Sequence, residues 1–277
     1  TQKIATDLAG FGRGAESLTT LKSAQARVQG FITTNEAVAA RLTRQDLALN
    51  QISDAATGAA QAIGDALAVG NITLVTQELE SVFQSARAGL NTQHNGDYVF
   101  AGASTDRAPV RVASLSELAA APDVASAFGN DRLVPTSRID EGTTVRTGYL
   151  ADDIATDVFS ILRDIQAYHE DPATGPLTGA VSDAQRDFLT QQVSRLKTAA
   201  SGVVNITASN GALQKQVDQT LESHASHDQS LEVLLGSKTD ADLAQAISDL
   251  QLSQIAVQAS AQVISQLRDV SLLNFLR

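Results

Sequence analysis

From Glu16 to Leu67 the chain carries apolar residues at alternating steps of three and four: Leu18, Leu21, Val28, Ile32, Ala39, Leu42, Leu49, Ala56, Ala60, Ile63 and Leu67. Only Gln25, Asn35, Asp46 and Ser53 interrupt that row. A 3.5-residue repeat is the seam of a coiled-coil helix, here on the order of 80 Å long at about 1.5 Å per residue. The four polar seam positions read as register-setting or hydrated spots rather than as a site. Gly58 and Gly64 weaken the last third, and Gly70-Asn71 reads as the stop. A second helix is expected over 73–92, its stripe being Leu74 or Val75, Leu79, Val82 or Phe83, Ala86 and Leu90.

His94-Asn95-Gly96-Asp97 breaks the helical pattern, Asn-Gly being a strong turn dipeptide. Beyond it Tyr98–Ala101 and Pro109–Ala113 read as extended, and a short helix fits within Ser114–Phe128. Arg132–Ile139 and Thr143–Leu150 flank Asp140-Glu141-Gly142 like the two arms of a hairpin. Helical spacing resumes near Asp152 with Ile154, Val158, Ile161 or Leu162 and Ile165, then lapses in a Pro- and Gly-rich loop over 170–179. A long helix is expected from Ser182, with the seam Leu189, Leu196, Val203, Ile206, Leu213, Val217, Leu221, Leu231 and Leu234 or Leu235. Gly236-Ser237 is expected to end it, and Asp240 to cap a last amphipathic helix.

These elements define a mainly α fold: an elongated antiparallel helical rod, coiled-coil-like, with a small mixed α/β insertion. The expected organisation is a connector at 1–14, N-terminal rod helices at 15–95, the insertion at 96–150, C-terminal rod helices at 151–236 and a terminal amphipathic helix at 237–277. Two seams of matching length at the ends of the chain fold back on one another most economically, 15–69 against 182–235. The terminal helix differs. Leu243, Ile247, Leu250, Val257, Ile264 and Leu267 form a stripe with no obvious partner in the short, glycine-rich start of the chain. An unpaired apolar stripe predicts a partner that buries it, so these six residues are the expected assembly interface.

Composition removes most chemistry from consideration. With no Cys, there is no disulfide framework, thiol nucleophile, thiolate zinc site or iron–sulfur ligation. A net charge of −11 argues against a nucleic-acid partner, which needs a clustered basic surface. No run of about 18 apolar residues is present to cross a membrane. The chain opens at Thr1 with neither an initiator Met nor a secretory signal pattern, which reads as a processed chain or a fragment. Aromatic residues make up only 4% of it, so the core must be built from Ala, Val, Leu and Ile.

His224, His227 and Asp228 come nearest to a metal constellation, since i and i+3 share a helix face, but no ligand from a second helix is identifiable. Gly10-Phe11-Gly12-Arg13-Gly14 lacks the preceding strand and following Lys-Ser/Thr of a phosphate loop and reads as a flexible connector. Asp140-Glu141 and Asp152-Asp153 are adjacent acids rather than carboxylates converging from separate elements. His94 and His169 read as surface residues in turns. No Gly-x-Ser-x-Gly elbow occurs. The expectation is therefore no enzyme, no cofactor and no metal.

Asn95, Gly96, Tyr98, Phe100 and Gly102, followed by Thr105 and Pro109, resemble the stretch after the second helix in flagellin-like hook-associated proteins. The segments 68–73 and 77–79 resemble that family's loop between rod helices, and 240–246, 251–262 and 271–277 resemble its C-terminal helix. The likeness is good over 68–109 and 237–277 and weak over 110–180. It implies the flagellin superfamily and, through the Tyr-x-Phe-x-Gly segment, its hook–filament junction members. Such a subunit would be extracellular, exported by the flagellar type III apparatus with a chaperone, and assembled with copies of itself, a neighbouring hook-associated protein and flagellin. Flagellin itself is the alternative. A signalling coiled coil is weaker, because such hairpins are helical throughout and this chain carries the insertion.

Overall fold

The computed structural model describes residues 8–269, with side chains described over 16–238, at 244 and over 247–266. It divides into two compact units, one of residues 1–30 with 223–277 and one of residues 31–222. The elements are α1 (Leu8–Val69), α2 (Val75–Leu90), β1 (Gln93–His94), β2 (Asp97–Tyr98), α3 (Leu115–Ala120), β3 (Thr136–Arg138), β4 (Thr144–Arg146), α4 (Ala151–Glu170) and α5 (Asp183–Asp269). The mainly α fold with a small mixed insertion is the one observed.

In the larger unit α1 and α5 run antiparallel. Arg186 at the start of α5 donates to the Leu67 carbonyl at the end of α1, and Asn210 donates to the Leu42 carbonyl at 3.0 Å. The first contact satisfies one of the orphan carbonyls of a helix C-terminus with a cation, where the macrodipole favours one. Gly70 ends α1 in the left-handed region, φ 74°. The loop after it is stitched to the loop before α5 by Ile72 N to Gly179 O and Val181 N to Gly70 O. The core joins one face of each helix: Leu49, Ile52, Ala56 and Ile63 of α1, Leu79 and Phe83 of α2, Val158, Phe159 and Leu162 of α4, Leu189, Leu196 and Val203 of α5. Small residues let the backbones approach. A methyl on Gly89 would sit 3.0 Å from Ile52 Cγ1 and 3.2 Å from the Ala48 carbonyl oxygen.

Farther along α1 the third layer changes from helix to hairpin. Ile139, beside β3, is fully buried with Val38 and Leu42 of α1 and Val217 of α5, and Val145 of β4 packs against them. Buried amides fasten this hairpin to α1. Asn35 donates to the Ile139 carbonyl at 2.8 Å, and Gln45 to the Thr147 carbonyl at 3.1 Å. Asn35, a polar position of the α1 seam, is thus a fastener of the hairpin rather than a bond to the partner helix.

Three local expectations change. Helix α1 begins by Leu8, so Leu8–Gly14 are helical rather than a flexible connector, and residues 1–7 of that expected connector lie outside the described residues. Adding turns to an existing helix is far easier than nucleating one, so three glycines do not stop it. Helix α5 does not end at Gly236-Ser237, nor does a new helix start at Asp240. A glycine disfavours a helix by only about 1 kcal/mol relative to Ala, no proline follows, and the Ser237 hydroxyl donates back to the Leu234 carbonyl instead of capping. The extended stretches also form less ladder than expected. Pro109–Ala113 pairs through one bridge, Val110 to Phe128, and only Asp97–Tyr98 of the Tyr98 region is a strand.

Candidate assembly interface

The distal part of α5 presents its apolar side chains to solvent. Ile247, Leu250, Val257 and Ile264 of the expected stripe are 49–66% exposed, while the Leu243 and Leu267 side chains lie outside the described residues. A second set was missed by sequence reasoning: Leu252, Ile255 and Val263 are equally exposed. Residues two apart on a helix do not face each other, so Leu250 with Leu252, and Ile255 with Val257, mark two different faces. The signal was available, since 252, 255 or 256, 259 and 263 also step by three and four. Following one seam hid the other. Polar residues, chiefly Gln and Ser, separate the two rows, and Asp249 is the one charged side chain described between Ile247 and Gln266.

The family-like segment has a structural role at each position. Asn95 and Gly96 have φ of 54° and 91°, the signs a two-residue type I′ turn requires, and they join Gln93–His94 to Asp97–Tyr98. Phe100 is fully buried and its carbonyl accepts from the Ala151 N–H at the start of α4. Gly102, φ 70°, lets the Asp131 carboxylate approach, and a methyl there would collide with it. Asp131 accepts from the Ala103 N–H at 3.0 and 3.1 Å, the Leu133 N–H at 2.9 Å and the Ser104 hydroxyl at 3.4 Å. Those donors, the Ala103 N–H first, hold its pKa below the ordinary carboxylate value.

Two outcomes follow from that knot. Gly102→Ala should destabilise the larger unit by about 2 kcal/mol in denaturant unfolding, because it combines a disfavoured backbone region with a clash. Because the folded pKa of Asp131 is depressed, its contribution is fully present above the unfolded-state pKa and is lost as pH falls through the lower folded one. Amide exchange at Ala103 and Leu133 should therefore be flat with respect to this group near neutrality and accelerate only in acid below the ordinary carboxylate range. Asp131→Asn should abolish that acid step.

The other singled-out residues resolve into structural contacts. His224 is buried and His227 exposed, and no group of three His, Cys, Asp or Glu able to hold a metal occurs among the described residues. Asp152 and Asp153 both pair with Arg132, at 2.6 and 3.3 Å, and Asn130 donates to Asp152. Asp140 and Glu141 lend backbone carbonyls to Arg138. His169 is half-buried, its Nδ1 accepting from the Leu177 N–H at 3.0 Å, which makes it a loop fastener rather than a plain surface residue. A shallow groove of about 500 Å³ between α1 and α5 is floored by Ala60, Gly64 and Ala200, with Asp65 and Lys197 its charged lining groups. Among the described residues no helix is long and apolar enough to cross a membrane.

These features define a class: mainly α, an antiparallel helix pair thickened by two further helices at one end and by a hairpin-bearing insertion beyond them. More particularly, the fold is the one found in flagellar hook-associated proteins. A candidate flagellar hook-associated protein from Vibrio parahaemolyticus superposes with a TM-score of 0.64 at 16% identity, over 85% of this chain and all of that one. FlgL of Bacillus cereus gives 0.62 at 13% identity, over 78% of this chain and 99% of that one. FlgL of Xanthomonas campestris gives 0.61 at 15% identity with the same coverage. By sequence alone, no family profile and no curated protein matches.

Proposed function

We propose that this chain is a structural subunit of the bacterial flagellum that joins hook to filament by helical self-assembly, outside the cell. The observation that carries the reading is the pair of exposed apolar rows on α5, seven described side chains from Ile247 to Ile264. Left in water they would be a standing liability; covered by neighbouring copies they become the adhesive of the assembly. The shared fold with FlgL and the likeness at Asn95–Gly102 favour the junction subunit over flagellin. The partners are then further copies, a neighbouring hook-associated protein and flagellin, with an export chaperone covering the apolar rows beforehand. The role is one of packing, with no reaction and no cofactor. Deleting the gene tests it: loss of swimming with filament subunits released into the medium supports the junction role. Loss of the filament subunit itself would instead identify flagellin, and normal swimming would end the proposal.

A further inference from the structure

Two Asn-Gly dipeptides occur in this chain, and the structure places them in opposite chemical situations. Asn95-Gly96 forms the exposed tip of the β1–β2 hairpin, with open space around the Gly96 Cα and no acceptor for the Gly96 N–H among the described residues. The Asn95 amide is held only by a 3.3 Å contact from its Nδ2 to Nε2 of the neighbouring His94. Asn210-Gly211 lies inside α5, where Asn210 is fully buried, its Nδ2 donates to the Leu42 carbonyl at 3.0 Å and the Gly211 N–H belongs to the helical ladder. An asparagine followed by glycine is the sequence most open to imide formation, because no Cβ hinders the attacking nitrogen. That attack needs a free backbone N–H, a mobile amide and water.

We propose that Asn95 is a site of spontaneous covalent conversion to aspartate and isoaspartate, and that Asn210 is protected. The Gly96 nitrogen loses its proton to solvent base and bonds to Asn95 Cγ, the Cγ–Nδ2 bond breaks, and Nδ2 leaves as ammonia. Water then opens the imide at either carbonyl, so asparagine and water become an acid and ammonia, with no redox change. The isoaspartyl product carries an extra backbone carbon in a two-residue turn and so removes the register that pairs Gln93 with Tyr98 and His94 with Asp97. Each conversion also adds a negative charge at the tip of a segment whose other members, Phe100 and Gly102, anchor the insertion. The test is prolonged incubation of the full chain at mildly alkaline pH, followed by peptide mapping and labelling with an isoaspartyl methyltransferase. The expected result is acid at position 95, amide retained at 210, and loss of the label in Asn95→Gly, which keeps a positive-φ turn without the reacting amide. Retention of the amide at 95, conversion at 210 to a comparable extent, or undiminished label in Asn95→Gly would each overturn it.

Discussion

Phe159→Ala should lose about 3–5 kcal/mol of unfolding free energy, a large part of the 5–15 kcal/mol typical of a domain. Phe159 is fully buried, its ring 5.2 Å from Phe83 and 5.3 Å from Phe128 between centroids. It is therefore the joint between α2, α4 and the insertion. Its ring partners Phe83 and Phe128 are themselves held in the same core, so neither is free to fill the void. The rest of the neighbouring core is largely Val, Leu, Ile and Ala on packed helices, so collapse onto the cavity is restricted and the upper part of the range applies. Far-UV circular dichroism in a denaturant series is the measurement. Phe159→Leu, nearer in volume, should lose much less. A loss below about 1 kcal/mol for the alanine variant would mean that this joint is not packed as described.

What could be read ahead of the structure was whatever is written locally. The stop at Gly70, the turn at Asn95-Gly96, the hairpin tip at Asp140–Gly142, and the α2 and α4 stripes all follow from spacing and turn chemistry, and each is observed. That the Asn95-Gly96 turn joins two paired strands was not legible. Antiparallel pairing of the first and last long helices followed from matching seams, and the contacts Arg186 to Leu67 and Asn210 to Leu42 carry it. Contacts without local signal were invisible. Asn35 and Gln45 reach carbonyls 104 and 102 residues away, and nothing near either residue announces a hairpin there. Asp131 reads as an ordinary loop acid until folding brings it beneath Gly102. Helix ends were misjudged where a glycine stood without a following proline or a side-chain cap, as at Gly236, because such a glycine only weakens a helix. In the candidate interface, Ile247, Leu250, Val257 and Ile264 were legible as a stripe, whereas the row through Leu252, Ile255 and Val263 needed the exposure of both faces to be noticed.

That second row sharpens the prediction with the greatest functional effect. Leu250→Asp with Val257→Asp should leave the folded chain within about 0.5 kcal/mol of the parent, because both side chains already face water. Incorporation into the appendage should nonetheless be abolished. In an assembly each copy would carry two carboxylates into an apolar contact, and an unpaired buried charge costs several kcal/mol even after relaxation. That penalty recurs at every subunit, so no partial assembly can escape it. Leu252→Asp with Val263→Asp extends the argument to the opposite face. A helix covered by one neighbour on one side would tolerate charge on the other, whereas a helix packed between neighbours would not. Loss of incorporation in both double variants, with unchanged melting, is the result expected of a helix buried on two sides. Normal assembly of the Leu250/Val257 variant would remove the stripe from the interface and, with it, the observation on which the flagellar reading rests.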